Sequence, residues 1–106
     1  MVFVELTPFI AFREKHWTDE DLRALQNHLV ASPDVGDVMR GGAGLRKIRW
    51  SAQGHGKRGG ARVIYYWHVP GDRIYLVYAY VKSEREDLTR DQVKLLTELL
   101  SNILEE

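Results

Sequence analysis

The stretch ARVIYYWHVPGDRIYLVYAYV, residues 61–81, decides the fold. Its two ends, Ala61 to Val69 and Arg73 to Val81, are dense in β-branched and aromatic side chains, the composition of strands packed on a pleated surface. Pro70-Gly71-Asp72 between them is turn chemistry, because proline presets φ and the next two residues tolerate a tight backbone. The second strand is apolar on both faces: Ile74, Leu76, Tyr78 and Tyr80 on one, Tyr75, Val77, Ala79 and Val81 on the other. Such a strand belongs at the centre of a sheet covered on both sides.

Upstream, Leu45 to Ser51 alternates, with Leu45, Lys47 and Arg49 pointing one way and Arg46, Ile48 and Trp50 the other. A glycine-rich loop, Gln53 to Gly60, joins it to the strand from Ala61, and the segment Asp34 to Gly44 reads as a loop. Val2 to Leu6 is short and β-rich. Pro8 suits the first turn of a helix carrying Phe9, Phe12 and His16, and Thr18 opens a second over an acidic first turn. Leu22, Leu25 and Leu29 form the second helix's buried stripe, which Ser32-Pro33 ends. At the other end, Thr89-Arg90-Asp91-Gln92 has the form of a capping box. It starts a helix with the stripe Val93, Leu96, Leu99, Leu100 and Ile103. The expected order is β-α-α-β-β-β-α: an α+β fold with a mostly antiparallel sheet packed on helices, a small single domain over residues 1–106.

With 106 residues, 44% hydrophobic and 28% charged, the chain has the composition of a globular protein. It lacks any apolar run near the ~18 residues that cross a bilayer, and any basic-then-apolar leader pattern, so a cytoplasmic protein is expected. It has no cysteine, hence no disulfide framework and no thiolate cage, and His16, His28, His55 and His68 show no metal-ligand spacing. Neither metal nor cofactor is expected. Gly54-His55-Gly56-Lys57-Arg58-Gly59 matches G-x-G-x-x-G, but a strand follows it, so no helix N-terminus awaits a pyrophosphate.

A formal net charge of zero hides a polarised chain. Residues 1–39 carry −4, residues 40–62 carry +7 with no acid, residues 63–83 carry +1 and residues 84–106 carry −4. Seven cations in one segment repel one another and suit a polyanion; the plain alternative is a solvated loop. Lys47 and Arg49 share one strand face, and Arg62, Tyr66 and His68 share another. If the strands pair with these sides coincident, cations and aromatics line one surface. That surface would suit single-stranded RNA, with Arg46, Lys57, Arg58 and His55 adding phosphate contacts. RNA can be cleaved through its own 2′-hydroxyl, given a base, an acid and charge stabilisation of the transition state. Arg62, always charged, suits the last of these.

The run Gly36-Asp37-Val38, Gly44-Leu45-Arg46-Lys47-Ile48-Arg49, Gly56-Lys57-Arg58-Gly59-Gly60-Ala61-Arg62-Val63-Ile64-Tyr65-Tyr66 and Tyr80-Val81-Lys82-Ser83-Glu84 resembles the HigB-like branch of the RelE toxins. These are the toxin halves of bacterial type II toxin–antitoxin pairs, and the likeness spans nearly the whole chain. The resemblance implies a small α+β fold and a ribosome-dependent endoribonuclease that cleaves translated mRNA and so inhibits translation. It also implies a cognate antitoxin, commonly a helix-turn-helix, HigA-like protein, with operator DNA reached only through that antitoxin. Carried over residue by residue, the family's basic pair falls on Lys47 and Arg49, the arginine opening the next strand on Arg62, and the late lysine on Lys82. RelE's further arginine and tyrosine fall on Ser83 and on Asp87 or Leu88. The resemblance thus leaves the general acid and the stacking residue open among Tyr66, His68 and Arg85. Two other readings stand beside it: a ribosome- or RNA-binding translation inhibitor that does not cut, and a ParE-like gyrase inhibitor.

Overall fold

A computed structural model describes residues 1–51, 60–82 and 87–105. Strand β1 (Val2–Glu5) leads into helices α1 (Thr7–His16) and α2 (Asp19–Ala31). Strands β2 (Asp37–Val38), β3 (Arg46–Trp50), β4 (Ala61–His68) and β5 (Arg73–Val81) follow, and helix α3 (Arg90–Leu104) ends the chain. The sheet order is β1-β5-β4-β3-β2, antiparallel except for the parallel edge pair β1–β5. The α+β expectation holds. Two details differ: Asp37–Val38, inside the expected loop, pairs with Arg46 and Lys47 as a fifth strand, and the middle strand is β4, with β5 its neighbour.

Local chemistry starts the helices. Thr18 and Thr89 each accept a hydrogen bond from the backbone N–H three residues on, and the side chains of Asp21 and Gln92 accept one back from the capping residue's own N–H. Pro8 occupies the first turn of α1, where its missing N–H costs nothing.

Each sheet face buries its own cluster. Phe9, Leu25 and Leu29 of α1 and α2 pack on Ile48, Val63, Tyr65, Ile74, Leu76 and Ala79, with Trp17, Trp50 and Trp67 around them. Leu100 of α3 packs with Leu6, Leu45, Ile64, Tyr75, Val77 and Tyr80 on the other face. A register shift at Ile64/Tyr65 lets β5 carry one residue more than β4 there.

Tyr65 ties the chain after α2 to the sheet. Its buried hydroxyl donates to the Pro33 carbonyl and accepts from the Gly36 N–H, each at 2.8 Å. A Cβ at Gly36 would stand 2.7 Å from the Tyr65 ring, so only glycine fits there. Arg46 completes the clamp, its guanidinium donating to the carbonyls of Asp34 (3.0 Å) and Gly36 (2.8 Å). Tyr65→Phe leaves the Gly36 N–H buried without an acceptor. It should lower the urea unfolding free energy by about 1–3 kcal/mol with an unchanged slope.

Candidate nucleic-acid interface

The site follows from strand register. In the β3–β4 pair Lys47 stands opposite Ile64 and Arg49 opposite Arg62; in the β4–β5 pair Arg62 stands opposite Tyr80. Directly paired residues share a face, so Lys47, Arg49, Arg62 and Tyr80 lie on one side of the sheet. Lys82 lies just past β5, its backbone N–H on the Gly60 carbonyl at 3.3 Å. A cleft of about 620 Å³ is lined by Lys47, Arg49, Arg62 and Lys82, with Asp37 and His28 at its wall. Arg62 is only 8% exposed, yet it forms no ion pair among the described residues. Burying a charge without a counterion is costly.

Carboxylates approach from distant sequence. Asp37 of β2 pairs across from Lys47. Asp87 precedes α3, and its carboxylate accepts from the Leu88 N–H at 2.8 Å and meets Lys47 Nζ at 3.3 Å. The Leu88 hydrogen bond first, and Lys47 after it, hold the Asp87 carboxyl below its ordinary pKa against the opposing effect of burial. A second cleft, about 640 Å³, shares Asp37 and Lys47 with the first. Arg40, Met39, Asp87, Leu88, Arg90 and Val93 close its other sides. Tyr80, opposite Arg62 in the β4–β5 pair, is 5% exposed. Burial first, then the Asp87 charge and a side-chain hydrogen bond to that carboxylate, raise the phenol pKa, outweighing the opposite pull of Arg62.

The sheet thus brings together Lys47, Arg49, Arg62 and Lys82, and leaves other expected residues apart. Arg46 points to the opposite face, where it holds the loop after α2. Tyr66 and His68 share the face of Arg62, but at ~3.3 Å per residue they lie roughly 13 and 20 Å further along β4. There they pack with Tyr75 and line neither cleft. Cations and aromatics thus share one sheet face, with the aromatics further along the strand and outside both clefts. His55, Lys57, Arg58, Ser83 and Arg85 lie outside the described residues. Sequence reasoning did not place Tyr80 or the carboxylates of Asp37 and Asp87 beside these cations. Among the described residues no group of three or more His, Asp or Glu side chains could hold a metal, and no helix is long and apolar enough to cross a membrane.

Residues 10–105 match the family model described as the RelE toxin of the RelE/RelB toxin–antitoxin system. The chain belongs to the RelE toxin family. Among solved structures, a doubly substituted variant of the E. coli toxin RelE in the free state superposes with a TM-score of 0.55. The match covers 80% of this chain and 86% of that one. At 16% identity the likeness is one of fold. Membership in this family implies an antitoxin as partner.

An NMR titration should find the Asp87 midpoint below the ordinary carboxylate value. Lys47→Ala should raise it only part of the way, since the Leu88 N–H remains. A depressed carboxyl adds stability above the unfolded pKa of about 3.9, and that share disappears as pH falls through the folded value. The Asp87 contribution should therefore be lost only in acid.

Proposed function

We propose that this RelE-family toxin is a ribosome-dependent endoribonuclease of the HigB-like branch, cleaving translated mRNA in the cytoplasm. The observation that carries the reading is the opposition of Arg49 and Arg62, which with Lys47 and Lys82 concentrates four cations in one cleft, one of them buried. A phosphodiester is the ligand whose charge that cleft matches.

In the proposed reaction the 2′-oxygen of one nucleotide attacks the adjacent phosphorus. The bond to the 5′-oxygen breaks, leaving a 2′,3′-cyclic phosphate and a 5′-hydroxyl. Negative charge builds on the phosphoryl oxygens in the transition state. Arg62, fixed in the sheet and poorly hydrated, stabilises that charge without reorganising. Lys47, Arg49 and Lys82 hold the flanking phosphates, so the scissile bond is aligned before reaction. The ribosome contributes the extended, in-line mRNA on which this alignment depends.

The partner proposed beside the ribosome is a HigA-like helix-turn-helix antitoxin, through which alone the toxin meets operator DNA. The +7 segment gives an acidic antitoxin surface something to mask.

Primer extension on a defined mRNA in a reconstituted bacterial translation reaction tests the nuclease reading. In-frame cuts should require ribosomes and fall by about 100-fold or more in Lys47→Ala and in Arg62→Met. Arg62→Met should keep or raise the unfolding free energy, because an apolar side chain replaces a buried charge that has no ion pair among the described residues. Stalled translation without cuts would instead identify a binding-only inhibitor, and no effect on translation would direct attention to gyrase.

A further inference from the structure

Phosphate contacts position an RNA strand, and stacked bases add a grip that does not depend on charge. The cleft of about 620 Å³ is large enough for a whole nucleotide, and its four cations account for the phosphate alone. Tyr66 and His68, the aromatic residues expected to take a base, line neither cleft. Among the described residues one aromatic ring does line it: His28, from the last turn of α2.

The topology explains how a helix residue shares a cleft with cations on the far face of the sheet. Strand β2 pairs only with Arg46 and Lys47, so among the described residues β3 has no neighbour on that edge from Ile48 onward. The cleft is lined by both Ile48 and Arg49, consecutive residues on opposite faces, and so turns around this bare edge. His28 stands where it emerges. Leu25, one turn back, and Leu29, the next residue, are fully buried and seat this part of α2. The imidazole lies against the Trp50 indole, ring centroids 5.2 Å apart and planes tilted by 41°. Trp50 in turn packs against the core cluster on that face, while His28 itself is exposed. The ring is held from behind and open in front, so little rotamer freedom is lost when a base covers it.

We infer that His28, backed by Trp50, is a stacking platform for the base of a nucleotide flanking the scissile phosphate. The inference rests on the nuclease reading and adds a base contact to its phosphate contacts. Every base has a π-face, so the platform admits all four, but a purine covers more of the ring than a pyrimidine. Stacking is present in bound substrate and transition state alike. It therefore acts on the half-saturating concentration more than on the saturating rate. It calls for a flat ring and not for a proton.

The test is single-turnover cleavage on programmed ribosomes over a range of toxin concentrations, with wild type, His28→Ala, His28→Gln and His28→Phe. The mRNAs carry a purine or a pyrimidine at the nucleotide on either side of the cut. Wild type should reach half-saturation at a lower concentration with a purine at one of the two positions. His28→Ala and His28→Gln should raise that concentration about tenfold on the purine substrate, lose the preference, and keep the saturating rate within about twofold. His28→Phe should keep the wild-type concentration dependence, preference and pH profile, since phenylalanine stacks but cannot transfer a proton.

An unchanged concentration dependence in His28→Ala would overturn the inference, as would a wild type indifferent to purine and pyrimidine. A His28→Ala defect equal on both substrates would overturn it too, leaving His28 a structural neighbour of Trp50. So would a His28→Phe variant as defective as His28→Ala, which would show that the imidazole nitrogens matter and not the plane of the ring. In each case cleavage by wild type, lost in Lys47→Ala, leaves the nuclease reading standing. Intact mRNA in the wild-type lane would overturn that reading, and the platform with it.

Discussion

Placing two arginines directly opposite each other is a cost that a sheet normally avoids, since like charges across a strand pair repel. Here the β3–β4 register imposes it on Arg49 and Arg62, and much of the molecule serves to hold that register. Ile48 and Val63, the neighbouring pair, are buried on the opposite face under α1 and α2, so a slip of one residue would turn that apolar set out to water. Tyr65 and Arg46 reinforce the same alignment from the next rung, by fastening the segment after α2. The repulsion is thus overcome by burial on the far side of the sheet, and the cations stay close.

Most of the fold could be read from pattern because its elements carry local signals. The capping threonines, the leucine stripe of α2 and the alternation of β3 all work within a few residues of chain. What escaped reading depends on distant partners. A two-residue strand at Asp37–Val38 has no pattern of its own and exists because β3 offers an edge. The parallel pairing of β1 arises because β4 has β3 on its other side, leaving the free edge of β5 to the N-terminal strand.

The site divides along the same line. Lys47, Arg49 and Arg62 announce themselves as a charge block, and their convergence needs only the pairing of two successive strands. Asp87 reaches Lys47 from 40 residues away. No count of acids within the basic segment could reveal it, although its place beside the α3 cap was available as a hint. Tyr80 was concealed by its surroundings: in a strand apolar on both faces, a tyrosine reads as packing. Only its position opposite Arg62 separates it from Tyr78, two residues earlier on the same strand. Tyr66 and His68 show the converse. They have the right residue types on the right face, but the strand's rise carries them away from the cations.

A site of this kind is in tension with the stability of its host. Arg62 is buried without an ion pair among the described residues, and the Tyr80 phenol is buried opposite it. In a purely structural sheet either would be replaced at no loss, since apolar side chains pack there without an unsatisfied group. Their presence together at one rung, flanked by an exposed and loosely held Lys47–Asp87 pair, fits the proposed reading, in which the charge of Arg62 is met by a phosphodiester and not by the fold.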